Sequence, residues 1–277
     1  VLTAQPASDV VLTVTADAND EASIAPSSVS FTPANWDTPQ TVTVTGADDN
    51  IIDGNQTSTV TVAIDDANSD NDFDPVANQT VTATTTDDDV AGFTIAQTGG
   101  STSVAETGTT DTFTVVLTAQ PVSDVVLTVT SSDTGEATVN SPLTFTPLNW
   151  NTAQTVTVTG IDDNIIDGTV TSALSLAVID ANSDDVYDSV DNQSLNVTTT
   201  DDDVAGFTIT ETDGSTTVAE SGTTDTFTVV LDAQPVSDVV LTVTSSDTGE
   251  ATVNTPLTFT SANWDTPQTV TVTGVDD

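Results

Sequence analysis

Ala47-Asp48-Asp49-Asn50-Ile51-Ile52-Asp53-Gly54 returns as Ile161-Asp162-Asp163-Asn164-Ile165-Ile166-Asp167-Gly168, a spacing of 114 residues. Val275-Asp276-Asp277 begins the motif a third time. At the same spacing, Thr86-Asp87-Asp88-Asp89-Val90-Ala91-Gly92-Phe93 returns as Thr200-Asp201-Asp202-Asp203-Val204-Ala205-Gly206-Phe207, and Trp36, Trp150 and Trp264 keep step. A fixed period means one supersecondary unit copied in tandem. This unit is too long for a small helical repeat and fits an all-β sandwich. The copies divide the chain into a first unit, 1–89, a complete middle unit, 90–203, and a third unit, 204–277. Against the middle copy, the first lacks about 25 opening residues and the third stops after its Asp-Asp pair, so the sequence reads as part of a longer array.

Inside the middle unit the apolar pattern has period two. Thr112-Phe113-Thr114-Val115-Val116-Leu117, Asp124-Val125-Val126-Leu127-Thr128-Val129-Thr130 and Gln154-Thr155-Val156-Thr157-Val158-Thr159 set Thr against Val, Leu or Phe, the mark of a half-buried strand. Leu143–Thr146, Leu174–Val178 and Ser194–Thr198 repeat the pattern more briefly, and Phe207-Thr208-Ile209 represents the opening strand. That gives about seven strands per unit, the sandwich number, with Val and Leu expected inward and Thr outward. No stretch has a helical period. Only a tripeptide such as Asp203-Val204-Ala205 separates one unit from the next, so consecutive sandwiches are expected to abut.

Composition narrows the function. The chain has no Lys, Arg, His, Cys or Met, and its 37 Asp and six Glu give a net charge of −43. Without His or Cys, zinc, copper and iron sites of the usual kind are excluded. Without Lys or Arg no phosphate backbone can be neutralised, so no nucleic-acid partner is expected. No signal peptide is present and no apolar run is long enough to span a bilayer, so no direct membrane insertion is expected. Catalysis would have to fall to an Asp/Glu pair alone, and the clustered acids recur in every copy. The chain therefore reads as no enzyme.

Two readings of the acidity compete: a solvating, halophile-like coat, or cation sites. Charged residues total only 16%, below the ~25% of an ordinary domain. Asp also collects at fixed repeat positions instead of spreading. Short carboxylates in clusters are what a hard divalent cation requires.

The order of motifs resembles the Calx-β family of immunoglobulin-like calcium-binding domains. The residues that carry the likeness are Val104-Ala105-Glu106-Thr107-Gly108 ahead of the Thr112–Leu117 strand, and Leu143-Thr144-Phe145-Thr146-Pro147 followed by Thr155-Val156-Thr157-Val158. Asp162-Asp163 with Asp167 four residues on, and the closing Asp201-Asp202-Asp203-Val204-Ala205-Gly206, complete it. The Asn-Trp after Phe-Thr-Pro is similar to repeats of very large bacterial surface proteins. The resemblance implies tandem immunoglobulin-like, Calx-β-like sandwiches with Ca²⁺ at one end. By matching position it implies Glu106, Asp133, Asp162, Asp163, Asp167, Asp201, Asp202 and Asp203 as the ligands of unit two. Unit one would use Asp48, Asp49, Asp53, Asp87, Asp88 and Asp89, with Asp17 or Asp20 from its third loop. Unit three would use Glu220, Asp247, Asp276 and Asp277. The chain departs from the family at Val170, where a further acid is frequent. Physical argument agrees with the resemblance: eight carboxylates from four segments cannot crowd one domain end as anions without a counter-charge. Their other reading is as turn residues and strand-end gatekeepers.

Other features are plainer. Asp66-Ala67-Asn68-Ser69-Asp70 and Asp180-Ala181-Asn182-Ser183-Asp184 resemble the start of an EF-hand loop but lack its Gly and closing Glu. They stand either as inter-domain ligands or as solvated turns. Each Trp reads as a packing cap in preference to a sugar platform. Four sequons, beginning at Asn55, Asn78, Asn192 and Asn196, arise readily by chance in a Thr-rich chain. The expected function is a calcium-rigidified shaft or spacer of a very large extracellular or cell-surface adhesin or fibre. Its partners would be neighbouring repeats, identical chains in a fibre, or a surface glycan or protein. The alternative is a calcium-dependent glycan- or protein-binding module.

Overall fold

Alternating Thr with Val or Leu gives every long strand one apolar face, and two such faces must close on each other. The computed structural model describes residues 1–17 and 21–276, and they form an all-β chain of β-sandwiches. Unit one contains β1 (Val10–Ala16), β2 (Ala22–Ala25), β3 (Ser28–Phe31), β4 (Thr43–Gly46), β5 (Gln56–Ile64) and β6 (Gln79–Thr85). Unit two contains β7 (Phe93–Gln97), β8 (Thr102–Ala105), β9 (Thr110–Leu117), β10 (Val125–Ser131), β11 (Ala137–Val139), β12 (Leu143–Phe145), β13 (Gln154–Gly160), β14 (Val170–Val178) and β15 (Gln193–Thr200). Unit three contains β16 (Phe207–Glu211), β17 (Thr224–Leu231), β18 (Val239–Leu241), β19 (Ala251–Val253), β20 (Leu257–Phe259) and β21 (Gln268–Gly274).

In unit two one sheet runs β12-β10-β14-β15-β8 and the other β11-β13-β9-β7. The chain changes sheet at every connection from β9 to β14, an immunoglobulin-like path. Nine strands replace the expected seven. The two additions, β8 and β11, have four and three residues, too few for an alternation to register. β8 joins the sheet edge parallel to β15, pairing Thr102 with Val197 through Ala105 with Thr200. Units one and three repeat parts of this plan: β3-β1-β5-β6 with β2-β4, and β16-β17-β21-β19 with β18-β20. Every ladder between named strands stays within one unit.

The core is as the alternation requires. Phe113, Val115, Leu127, Phe145, Val156, Leu174 and Leu176 are fully buried between the sheets of unit two. Each such side chain contributes about 1.5–3 kcal/mol of burial. Trp150 packs against this cluster, and its carbonyl accepts from Leu117 N–H (3.2 Å). Trp264 does the same over the smaller cluster of unit three. These are the caps the sequence led us to expect. β9 and β17 have the same sequence, as do β13 and β21.

Tyr187 closes the far end of unit two. It is fully buried on the short 3-10 turn Asp185–Tyr187, and its hydroxyl donates to the Ala119 carbonyl at 2.6 Å. Burial pushes that hydroxyl up to about 12, keeping it a donor at neutral pH. The turn is held by Asp184, whose carboxylate accepts from Val122 N–H (2.7 Å), Ser123 N–H (2.9 Å) and Val186 N–H (3.3 Å). In unit one Asp70 takes Ala7 N–H (2.7 Å), Ser8 N–H (3.0 Å) and Asp72 N–H (3.2 Å) in the same way. The Ser8, Asp72 and Ala7 amides hold its carboxyl below the usual range. In the Asp-Ala-Asn-Ser-Asp segments the first three residues, Asp66–Asn68 and Asp180–Asn182, form an exposed 3-10 turn. Their last carboxylate is a clamp on a neighbouring loop.

Units meet through the Asn-Ile-Ile motif. Gln120 N–H donates to the Asn50 carbonyl (2.6 Å), Ile52 N–H donates to the Gln120 carbonyl (3.2 Å), and Ile51 and Gln120 form a parallel bridge. Ile52 packs onto the core of unit two. At the next seam Gln234 N–H donates to Asn164 (2.6 Å) and Ile165 bridges Gln234.

Tyr187 gives a test of this packing. Tyr187→Ala is expected to destabilise unit two by about 3–5 kcal/mol through the cavity it leaves. Tyr187→Phe should cost about 1–3 kcal/mol, because the buried Ala119 carbonyl loses its donor. Urea unfolding followed by tryptophan fluorescence measures both.

Candidate metal centre

The carboxylates gather where β8, β13 and β15 of unit two end and β11 begins. Glu106 follows β8; its N–H donates to the Thr200 carbonyl at 3.0 Å, tying it to the last residue of β15. Only glycine fits at position 160, because a Cβ there would collide with the Ala105 carbonyl beside Glu106. Glu136 precedes β11, and its carbonyl accepts from Ile161 N–H (2.9 Å) at the end of β13. The loop between Asp163 and Gly168 is clasped at both ends by acids. Asp163 Oδ1 accepts from Ile165 N–H (2.6 Å) and Asp201 Oδ2 accepts from Gly168 N–H (2.8 Å). Gly168 takes a positive φ of 77°, which favours glycine.

This backbone brings two triads of oxygens together. One carboxylate oxygen from each of Glu106, Glu136 and Asp167 lies within 4.8 Å of the others, and Glu106, Asp163 and Asp203 form a second such group. Glu106 is 1% exposed and Glu136 5%. One oxygen of each, and Asp203 Oδ2, is buried without a hydrogen-bond partner. Burial first, then the nearby charges of Asp163, Asp201, Glu136 and Asp167, pushes the Glu106 carboxyl up to about 7. Burial followed by Asp167 and Asp133 raises Glu136, and burial followed by Asp201 and Asp202 raises Asp203.

The other expected positions divide. Asp162 and Asp202 are exposed beside this group. Asp133 is exposed, and its Oδ1 is engaged by Gly135 N–H at 3.0 Å. From that loop it is Glu136, three residues on, that joins the buried triad. In unit one a cavity of about 440 Å³ is lined by Asp48, Asp49, Asp53, Asp87, Asp88 and Asp89, together with Glu21. Glu21 is the counterpart of Glu136, its carbonyl accepting from Ala47 N–H at 2.9 Å. Burial, then Asp87, Asp88, Asp49 and Asp48, raises the Asp89 carboxyl. Asp17 lies outside that lining, since its Oδ2 accepts from Thr59 N–H at 2.9 Å. In unit three Glu220 and Glu250 line a further cavity. Asp247 there repeats the Asp133 turn, accepting from Gly249 N–H (3.0 Å). Asp276 is exposed, and Asp20 and Asp277 lie outside the described residues.

Sequence reasoning passed over Glu21, Glu136 and Glu250. A signal was present: only six glutamates occur among 43 acids, and three of them stand at this one repeat position, each followed by Ala.

The donor set fits a hard cation. It is all oxygen, it comes from separate segments, and its innermost atoms have no other partner. Among the described residues no side-chain cation exists to pair with them. Ca²⁺ accepts six to eight oxygens in flexible geometry, and mono- or bidentate carboxylates of these residues can supply that number.

No protein-family model matches the chain, and no curated protein sequence does. Solved structures that it resembles include the apo form of the Calx CBD1 domain, at 16% identity over 40% of this chain and 98% of that one, TM-score 0.30. CBD12 from CALX1.2 aligns at 16% identity over 66% and 75%, TM-score 0.30. Domains 4 and 5 of the S-layer protein SbsC align at 18% identity over 68% and 70%, TM-score 0.33. Alignments this loose establish no family membership.

The raised carboxyls set a pH dependence. A group whose folded value is raised binds more protons when folded, so its contribution is full below the unfolded value and is lost as pH rises through the folded one. For Glu106 that window runs from its ordinary 4.5 to about 7. Metal-free protein should therefore melt lower at pH 7.5 than at pH 5, as calorimetry would show. Glu136→Gln should raise the metal-free melting temperature at pH 7.5, by about 4–8 °C per kcal/mol of relief. The same substitution should weaken calcium binding.

Proposed function

We propose that this chain is a run of calcium-binding β-sandwich repeats acting as a stiff spacer within an extracellular or cell-surface protein. One observation carries the reading. Glu106 and Glu136 bury oxygens without partners in a chain that has no Lys, Arg or His to neutralise them. Burying a carboxylate in that state is strongly unfavourable. Protonation relieves Glu106 only below about pH 7; above it, a bound divalent ion is the available counter-charge.

In this reading Glu106, Glu136 and Asp167 hold one calcium, and Glu106, Asp163 and Asp203 a second. Asp162, Asp201 and Asp202 complete the shells. Asp48, Asp49, Asp53, Asp87, Asp88, Asp89 and Glu21 serve unit one. Glu220, Glu250, Asp247 and Asp276 are what unit three contributes. Bound calcium supplies the positive charge that lets these strand ends converge. The residues themselves do the mechanical work: they tie β8, the start of β11, the loop after β13 and the end of β15 into one knot. No helix of the described residues is long and apolar enough to cross a membrane. Adjacent repeats are the partners, and no catalysis is assigned. Trp150 and Trp264 pack on the cores of units two and three, which supports their reading as caps.

Calorimetry at millimolar Ca²⁺ is expected to show binding that is lost in unit two when Glu106→Gln and Asp163→Asn are combined. Ligand binding to the folded state alone contributes about 2.7 kcal/mol at a hundredfold excess over Kd, so EDTA should lower the melting temperature clearly. Small-angle scattering should give a longer, narrower distribution of distances in calcium than in EDTA. Binding and stabilisation without that change would remove the spacer role and leave a calcium-dependent binding module.

A further inference from the structure

We propose that the Asn-Ile-Ile loop is a coupling element across the seam: cation occupancy in one unit raises the stability of the unit that follows it. The inference rests on the calcium reading of the carboxylate clusters and adds a link between units to it.

The loop belongs to two structures at once. In unit two its ends are fastened by candidate ligands, Asp163 to Ile165 N–H (2.6 Å) and Asp201 to Gly168 N–H (2.8 Å). Its middle belongs to unit three. Gln234 N–H donates to the Asn164 carbonyl at 2.6 Å, and Ile165 bridges Gln234. Ile166 lines an apolar cavity of about 310 Å³ together with Phe207, Leu231 and Val239 of unit three. The socket is braced from its own side, since Gln234 Nε2 donates to the Ser261 carbonyl (3.0 Å). The preceding seam repeats the arrangement. There Asp49 accepts from Ile51 N–H (2.7 Å), Asp87 accepts from Gly54 N–H (2.7 Å), and Ile52 packs onto the core of unit two. Both seams share the Gln N–H bond to the Asn carbonyl, the Ile–Gln bridge and the two acid clasps; they differ in that Ile52 packs on the core of unit two whereas Ile166, 37% exposed, lines the cavity of unit three.

The consequence follows from charge. Asp163, Asp201 and Asp203 stand close to one another with Glu106 in their midst. Unneutralised, they repel and pull the clasp apart, and the loop loses the conformation that aims Ile166. Neutralised, they hold the turn, and unit three keeps an isoleucine that its own sequence does not provide. The carboxylates that clasp the loop are unit two's own, so it is the site of the preceding unit that is coupled across this seam. Linkage is reciprocal in free energy: docking of the following unit must tighten cation binding in the one before it by the same factor. Ile166 acts here as a positioning residue and touches no ion.

The test uses the full chain carrying Glu220→Gln and Glu250→Gln, which removes the two exposed glutamates that line the cavity of unit three. Amide hydrogen exchange is read at Thr224–Leu231 with and without calcium, beside calorimetry of the same samples. Calcium is expected to slow exchange there by about 5- to 150-fold, the usual range of site coupling. Ile166→Ala should abolish that slowing while leaving calcium heat at unit two in place. Ile166→Val should restore it. Slowing that survives Ile166→Ala, or calcium heat at unit two with no slowing in the parent chain, would overturn the coupling alone. Absence of calcium heat, with Glu106→Gln/Glu136→Gln as the reference for an inactivated site, would overturn the calcium reading and the coupling with it.

Discussion

Two glutamates close the sandwich of unit two at a point where nothing positive is available to meet them. Glu106 and Glu136 reach the interior because β8 and the start of β11 are pinned to β15 and β13 by backbone hydrogen bonds. The backbone thus fixes the carboxylates before any charge balance is reached. Most proteins resolve such a conflict with an arginine or lysine. This chain has neither, so the balance must come from outside or from protons. That single constraint explains the raised carboxyls, the convergence of four segments on one end, and the clasping of the loop between Asp163 and Gly168.

The same carboxylate chemistry is used differently at the other end of units one and two. Asp70 and Asp184 are enclosed too, but each receives three backbone N–H groups. An acid with that many donors is satisfied as an anion and needs no ion. The contrast separates an acid that organises a loop from an acid that waits for a partner. Counting donors distinguishes them where residue type and spacing do not.

Much of this was legible in the sequence, for definable reasons. Thr–Val alternation located β9, β10 and β13, because side-chain direction in a strand has a period of two. The Asp pairs and closing triples were located because acids at fixed repeat positions stand out in any chain. What stayed hidden depends on contacts between distant segments. β8 and β11 are too short to show a period and exist only because β15 and β13 offer them an edge. Glu136 lies beside Asp133, and nothing local says that Asp133 will spend its oxygen on Gly135 while Glu136 turns inward. Ile165 and Ile166 sit in an acidic loop where two apolar residues have no intra-unit purpose. Their purpose is in the next unit, which single-unit reading cannot reach.

The identity of β9 with β17 and of β13 with β21 leaves a problem of assembly. β9 pairs with β13 in unit two, and β17 pairs with β21 in unit three, through the same side chains. A crossed pairing of β9 with β21 would bury the same surfaces, so contact energy cannot select the correct partner. Loop closure helps only slightly, because a roughly fourfold longer connection costs about 1.2 kcal/mol more. Order of appearance must do the remaining sorting: β13 leaves the ribosome well before β21 exists, and a sandwich already closed offers no edge to a late copy. Refolding the intact chain from denaturant removes that temporal advantage. Near-identical repeats thus make this protein easier to build once, from one end, than to rebuild.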